Sequence, residues 1–250
     1  NLNFLFELNL FDFSVVAFSA FLLGISKSGI KGIATLIVTS FALVYGAKNS
    51  TGILMPLLLV GDIFAITYYK RYVDWSYIIK LIPWMVFGVL IGVIGGSYIS
   101  DDLFKYGMVI IILFSVSLMY LMESKKEKKI PKNLIFVSSM GTLAGFTTMV
   151  GNLAGAFSNI YFLAMRIPKN TFIGTAAWLF FIINSFKVPF HIWSWGTINE
   201  SSILKSLELI PFVILGLIFG VILVKKINDN TFRKLILFLT AFGGILILFN

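Results

Sequence analysis

The chain has 250 residues, 58% of them hydrophobic, with a mean hydropathy of +0.96 and a formal charge of +9. This composition excludes an ordinary soluble domain, and apolar stretches of spanning length recur throughout, so the fold class is an all-α polytopic membrane protein. There is no cysteine and His191 is the single histidine, which excludes disulfides, thiolate catalysis and a cysteine or histidine metal cluster.

Residues 1–12 carry Glu7 and Asp12 rather than a basic leader and do not read as a signal peptide. Apolar segments then follow at 13–25, 33–46, 51–69, 78–99, 103–122, 134–146, 153–165, 171–190, 202–224 and 231–249. Segments of about 20 residues cross a hydrocarbon core of roughly 30 Å; those of about 13 do not. The short segments form two pairs, each flanking a polar interruption. The first is Gly24-Ile25-Ser26-Lys27-Ser28-Gly29-Ile30-Lys31-Gly32, and the second is Gly145-Phe146-Thr147-Thr148-Met149-Val150-Gly151-Asn152. Each pair is either one broken span or a re-entrant hairpin. Interruptions at corresponding places in two halves point to a transporter's substrate site.

Loop charge bears on that choice. The densest basic loop, Lys125-Lys126-Glu127-Lys128-Lys129-Ile130-Pro131-Lys132, belongs in the cytoplasm by the positive-inside bias. With two hairpins, Lys70, Arg71, Lys80, Arg166, Lys169, Lys225, Lys226, Arg233 and Lys234 join it, so 14 of the 20 basic residues lie inside and both termini lie outside. Full spans would lower the inside count to about 10. The same bias explains the net positive charge without nucleic acid. The expected location is a prokaryotic inner (cell) membrane.

The halves also repeat. Leu81-Ile82-Pro83 with Gly88 and Gly92 matches Leu209-Ile210-Pro211 with Gly216 and Gly220; Asp101, Phe104 and Lys105 match Asp229, Phe232 and Arg233; Lys48-Asn49 matches Lys169-Asn170, and Gly24 matches Gly145. The expected organisation is a first repeat over 1–122, a basic linker over 123–133 and a second repeat over 134–250. Each repeat is one hairpin (13–46, 134–165) and three spans, an odd number of crossings that inverts the second half. The spaced glycines, including Gly96, read as close-packing faces within one chain or between copies, since small residues let membrane helices approach. Pro83 and Pro211 read as structural, and Trp75, Trp193 and Trp195 as an interfacial aromatic belt.

A helix that starts at mid-depth offers free N–H groups and a positive dipole end, which suits an anion. Ser26, Lys27, Ser28 and Lys31 in the first turn, with Thr147, Thr148 and Asn152 in the second, are therefore the candidate substrate-binding residues. The competing readings are lysines that snorkel to a surface or form a fixed salt bridge, and hydroxyls that bond between helices. Asp62, in an apolar span after Gly61, is either a proton carrier or the charge partner of Lys27 or Lys31. Asn184 lies one position from its repeat counterpart, and Lys187 and His191 follow it toward the predicted outer surface, where an entrance role fits. The glycines of 24–29 imitate P-loop spacing, but the Gly-Lys-Ser/Thr ending is missing, so no nucleotide site or other cofactor is implied.

The stretches Asp62-Ile63-Phe64-Ala65, Tyr69-Lys70-Arg71-Tyr72-Val73-Asp74-Trp75 and Leu81-Ile82-Pro83-Trp84, followed by Gly88 and Gly92, resemble the TauE/SafE family of sulfite exporters and toluene-sulfonate uptake permeases. Ile167-Pro168-Lys169-Asn170 followed by Gly174-Thr175-Ala176 is similar to the same family's second half. The resemblance implies a secondary carrier of sulfite, sulfonates or sulfoacetate-like anions, with H⁺ or Na⁺ as coupling ion, rather than an enzyme. Lys27, Lys31 and the lack of a proline before Pro56 depart from the family's more glycine-rich first turn, which bears on substrate and direction. A passive anion channel, or a carrier of a non-sulfur organic anion, is the alternative on the same scaffold.

Overall fold

The structure is a computed structural model and describes residues 8–98 and 133–232, together with 106, 107, 110, 113, 114, 117, 234–236, 238 and 239. The predicted span 103–122, the linker 123–133 and the span 231–249 lie largely outside the described residues. The named helices are α1 (Leu10–Lys27), α2 (Ala34–Tyr45), α3 (Ala47–Tyr69, continued by a 3₁₀ turn over Lys70–Tyr72), α4 (Trp75–Tyr98), α5 (Leu134–Gly151), α6 (Ala154–Ala164), α7 (Lys169–Pro189, continued by a π turn over Phe190–Ser194) and α8 (Glu200–Lys225). Among the described residues there is no strand. Six helical stretches are long and apolar enough to cross a membrane, which makes the protein an all-α polytopic membrane protein.

Local chemistry sets several of the helix starts. Asn9, Asn133 and Asn199 cap α1, α5 and α8, each side chain accepting a backbone N–H of the first turn. At Asn199 the cap is reciprocal, because Ser202 accepts the Asn199 N–H in return. The starts of α2 and α6, at Ile33 and Leu153, have no side-chain cap.

The interruptions are shorter than expected and begin later. Gly24–Lys27 and Gly145–Gly151 stay helical, so α1 and α5 have 18 residues each, against 12 for α2 and 11 for α6. At 1.5 Å per residue the first arms reach about 27 Å, and only the second arms are short of a membrane's thickness. A glycine costs a helix only about 1 kcal/mol, which close packing readily offsets. That is what Gly24 and Gly145 do. A methyl at Gly24 would sit 2.1 Å from the Val213 carbonyl of α8, and one at Gly145 would sit 2.0 Å from the Met85 carbonyl of α4. Their partners answer in kind: Gly216 abuts Phe21 and Gly24, and Gly88 abuts Thr142 and Phe146.

The result is two equivalent crossings, α1 on α8 and α5 on α4, and in both the contacts advance together along the two helices. Gly92 then meets Met149, and Gly220 meets Ser28. These glycine faces are therefore filled within one chain. Gly96 receives the indole of Trp195, which is buried and donates its Nε1–H to Val93 O at 3.2 Å. Trp195 is thus a packing residue and not part of an interfacial belt, whereas Trp75 and Trp193 are exposed as a belt requires.

Between the crossings lie α3 and α7. Gly52 touches Thr197, Asp62 bonds Asn184, and the Asp74 N–H donates to Thr175 Oγ1, so the two helices run in opposite directions. The α1–α2 and α5–α6 turns are brought together against this pair.

Candidate functional site

The α1–α2 turn spans Ser28–Ile33 and bends at Gly29 and Gly32, whose φ values of +130° and +105° favour glycine. The α5–α6 turn needs only Asn152 and Leu153, with Asn152 in the left-handed region at φ 56°. Asparagine tolerates that conformation better than most residues. Its side chain also holds the turn in place, donating from Nδ2 to Thr51 O at 3.1 Å.

Between the turns is a cavity of about 60 Å³. A single water needs roughly 10–15 Å³ by the same measure, so a small polyatomic anion is within its capacity. The uncapped starts of α2 and α6 reach it, through Ala34 of α2 and through Ala154 and Gly155 of α6. Lys27 and Lys31 line it as well, and each ammonium lies 5.4 Å from the ring centroid of Phe180 on α7. No carboxylate is among its lining residues.

Lys27 is paired. Its Nζ lies 2.6 Å from Asp62 Oδ1, while Asn184 donates to Asp62 Oδ2 at 2.7 Å, so both carboxylate oxygens are satisfied at a fully buried position. Gly61 makes this possible, because a methyl there would meet the Lys27 Cγ at 2.6 Å. Among the described residues Lys31 has no such partner; it donates to Ser26 O at 3.1 Å.

A third buried lysine was underread in the sequence. Lys187 is fully buried, and donates to Thr148 O (2.7 Å), Thr148 Oγ1 (2.9 Å) and Asn152 Oδ1 (2.8 Å). His191 is likewise buried, its Nδ1 2.8 Å from Thr197 Oγ1, so neither residue forms an exposed entrance. Among the described residues, then, three lysines and one carboxylate are buried. An ammonium away from water is costly without a counter-charge.

Of the residues expected to bind substrate, Ser26, Lys27, Lys31, Thr148 and Asn152 line the cavity, as does Asn184. Ser28 and Thr147 do not. The Ser28 hydroxyl is bonded toward Gly24 O and Leu217 O, and Thr147 bonds Ala144 O and Leu153 O. Ser28 thereby links α1 to α8, and Thr147 ties backbone across the α5–α6 turn, the bonding role that competed with substrate binding for Thr147. Asp62 sits one layer behind the cavity. Asn159 of α6 was not anticipated; it lines the cavity, and its buried Oδ1 has no partner among the described residues. An amide within an apolar half-helix was the available signal.

No curated protein and no solved structure matches the chain. A family model does, the sulfite exporter TauE/SafE, over residues 16–247. With nearly the whole chain inside that match and a helical membrane fold around a buried basic cavity, the protein belongs to the sulfite exporter TauE/SafE family of membrane transporters.

Proposed function

We propose that the protein is a secondary transporter of a small sulfur-containing oxyanion, sulfite or a short sulfonate or sulfoacetate-like compound. The observation that carries this reading is the cavity's polarity: two lysines and two uncapped helix starts face it with no lining carboxylate. An oxyanion entering it gains charge-assisted donors and the positive ends of two helix dipoles. Lys31, with no carboxylate partner among the described residues, is the principal charge contact. Lys27 is held by Asp62, which acts as its charge partner and as the group that takes a coupling proton when the pair opens.

The cargo changes sides by alternating access, one repeat rocking against the other. The matched crossings α1–α8 and α5–α4 and the opposed α3–α7 pair support an inverted repeat. The packing of α1 on α2 and of α5 on α6 supports two re-entrant hairpins. With hairpins, the basic loop over 123–133 faces the cytoplasm of a prokaryotic cell and both termini face out.

Flux into liposomes containing the purified protein tests the reading. Saturable sulfite or methanesulfonate uptake, driven by a proton or anion gradient and absent from protein-free vesicles, is the expected result. Anion conductance that does not saturate would make it a channel. No movement of any sulfur oxyanion would overturn the substrate class.

A further inference from the structure

The second turn has no charged residue of its own, yet a buried ammonium is spent on it. We propose that Lys187 is a positioning residue that turns the Thr148 hydroxyl into a hydrogen-bond donor aimed at the cargo; the proposal rests on the cavity being the anion site. A hydroxyl has one hydrogen to give and two lone pairs to accept with. Helix-borne hydroxyls usually give that hydrogen to a carbonyl one turn back. Ser19, Ser28 and Ser158 do so here, at 2.8, 3.0 and 2.7 Å, and Thr147 reaches back to Ala144 O.

Thr148 is different. An ammonium can only donate, so at 2.9 Å from Lys187 Nζ the Thr148 oxygen must be the acceptor. Its own hydrogen therefore points elsewhere, and no acceptor takes it among the described residues. Thr148 lines the cavity, whereas Lys187 does not. Two acceptors are open in that cavity, the unpartnered Asn159 Oδ1 and an oxyanion held there, and of the two the oxyanion also answers the cavity's positive charge. Bonding to an ammonium also polarises the hydroxyl and strengthens it as a donor.

The same ammonium orients Asn152. Its Oδ1 accepts from Lys187 at 2.8 Å, so the amide nitrogen is directed to Thr51 O and keeps one further hydrogen. Lys187 thus converts two neutral side chains, either of which can accept or donate, into a set that presents donors to the cavity. The second turn achieves from a neighbouring helix what the first achieves with its own lysines.

The test measures sulfite affinity on the purified full chain, with chloride as control, for wild type, K187M, T148V, T148S and K187M/T148V. The expected result is a loss of about tenfold for K187M and for T148V, the scale of one charge-assisted hydrogen bond. The double variant should bind no worse than about the weaker single, because both changes remove the same donor. T148S, which keeps the hydroxyl, should bind as wild type does, a rescue that a merely structural role for Thr148 would not give.

Losses that multiply to about a hundredfold in the double variant would mean that Lys187 acts by its own charge, and would overturn the proposal. So would wild-type affinity in K187M while the wild type binds sulfite. Should K187M not fold, T148V binding as tightly as T148S overturns it equally. A wild type that binds no sulfite removes the anion-site reading itself, and this proposal with it.

Discussion

The two turns that face the cavity solve one geometric problem with different chemistry. The first is long, bent at two positive-φ glycines, and carries its positive charge within itself on Lys27 and Lys31. The second is two residues long, bent at one left-handed asparagine, and receives its charge from Lys187 on α7. In the first, a carboxylate from α3 neutralises one lysine; in the second, three neutral acceptors share one ammonium. The lesson is that two like helix crossings can be kept while the location of charge differs between them. Electrostatics at a cavity depends on where a charged atom ends up, not on which helix supplies it.

The largest expected effect breaks the first turn's neutralisation. Asp62→Asn strands the Lys27 ammonium in a buried site and should cost about 3–5 kcal/mol, read as a lowered thermal midpoint in detergent. Adding Lys27→Met to the same protein should restore most of it, because the stranded charge is then gone. A single Asp62→Asn protein as stable as wild type would refute the pairing.

The equivalence of the two crossings is tested next. Gly24→Ala and Gly145→Ala each drive a methyl to within 2.1 and 2.0 Å of a facing carbonyl, and each should destabilise by about 1–3 kcal/mol. The two losses should match. Gly95→Ala, with open space around it, should be neutral or stabilising by up to about 1 kcal/mol. Unequal losses would show that the crossings are not mechanical equivalents.

A smaller effect separates the two lysines of the first turn. Lys31→Met should weaken sulfite binding about tenfold while leaving the thermal midpoint unchanged or higher, since no carboxylate loses its partner. Lys27→Met should lower both, because Asp62 is left unpaired. Equal behaviour of the two variants would dissolve the distinction between a structural and a cargo-facing lysine.

The smallest concerns the second turn's backbone. Asn152→Ala and Asn152→Gly both lose the side-chain bonds, but only alanine pays the left-handed strain. The glycine variant should be the more stable by about 1 kcal/mol in chemical or thermal unfolding. No difference would place the turn's stability in the lost bonds alone.

Much of this molecule is determined by its sequence directly. Apolar runs of spanning length fix the membrane class, and the described helices fall close to the predicted segments because hydropathy and helix ends are local properties. The candidate site was legible where a polar or charged side chain interrupts such a run, as at Lys27, Lys31, Asp62, Thr148 and Asn152. Lys187 reads instead as an entrance residue, because its burial depends on how α7 packs.

What tertiary structure alone decided is each residue's partner. Ser28 meets Leu217 across 189 residues, Asn184 meets Asp62 across 122, and Trp195 fills the space at Gly96. Gly24 and Gly145 look like breaks in a one-dimensional pattern and prove to be contact points between helices. The reason is physical: hydropathy and φ preferences are set by a residue and its chain neighbours. Whether a lysine is neutralised, shared or left to bind an anion depends on atoms that only the folded chain brings within 3 Å.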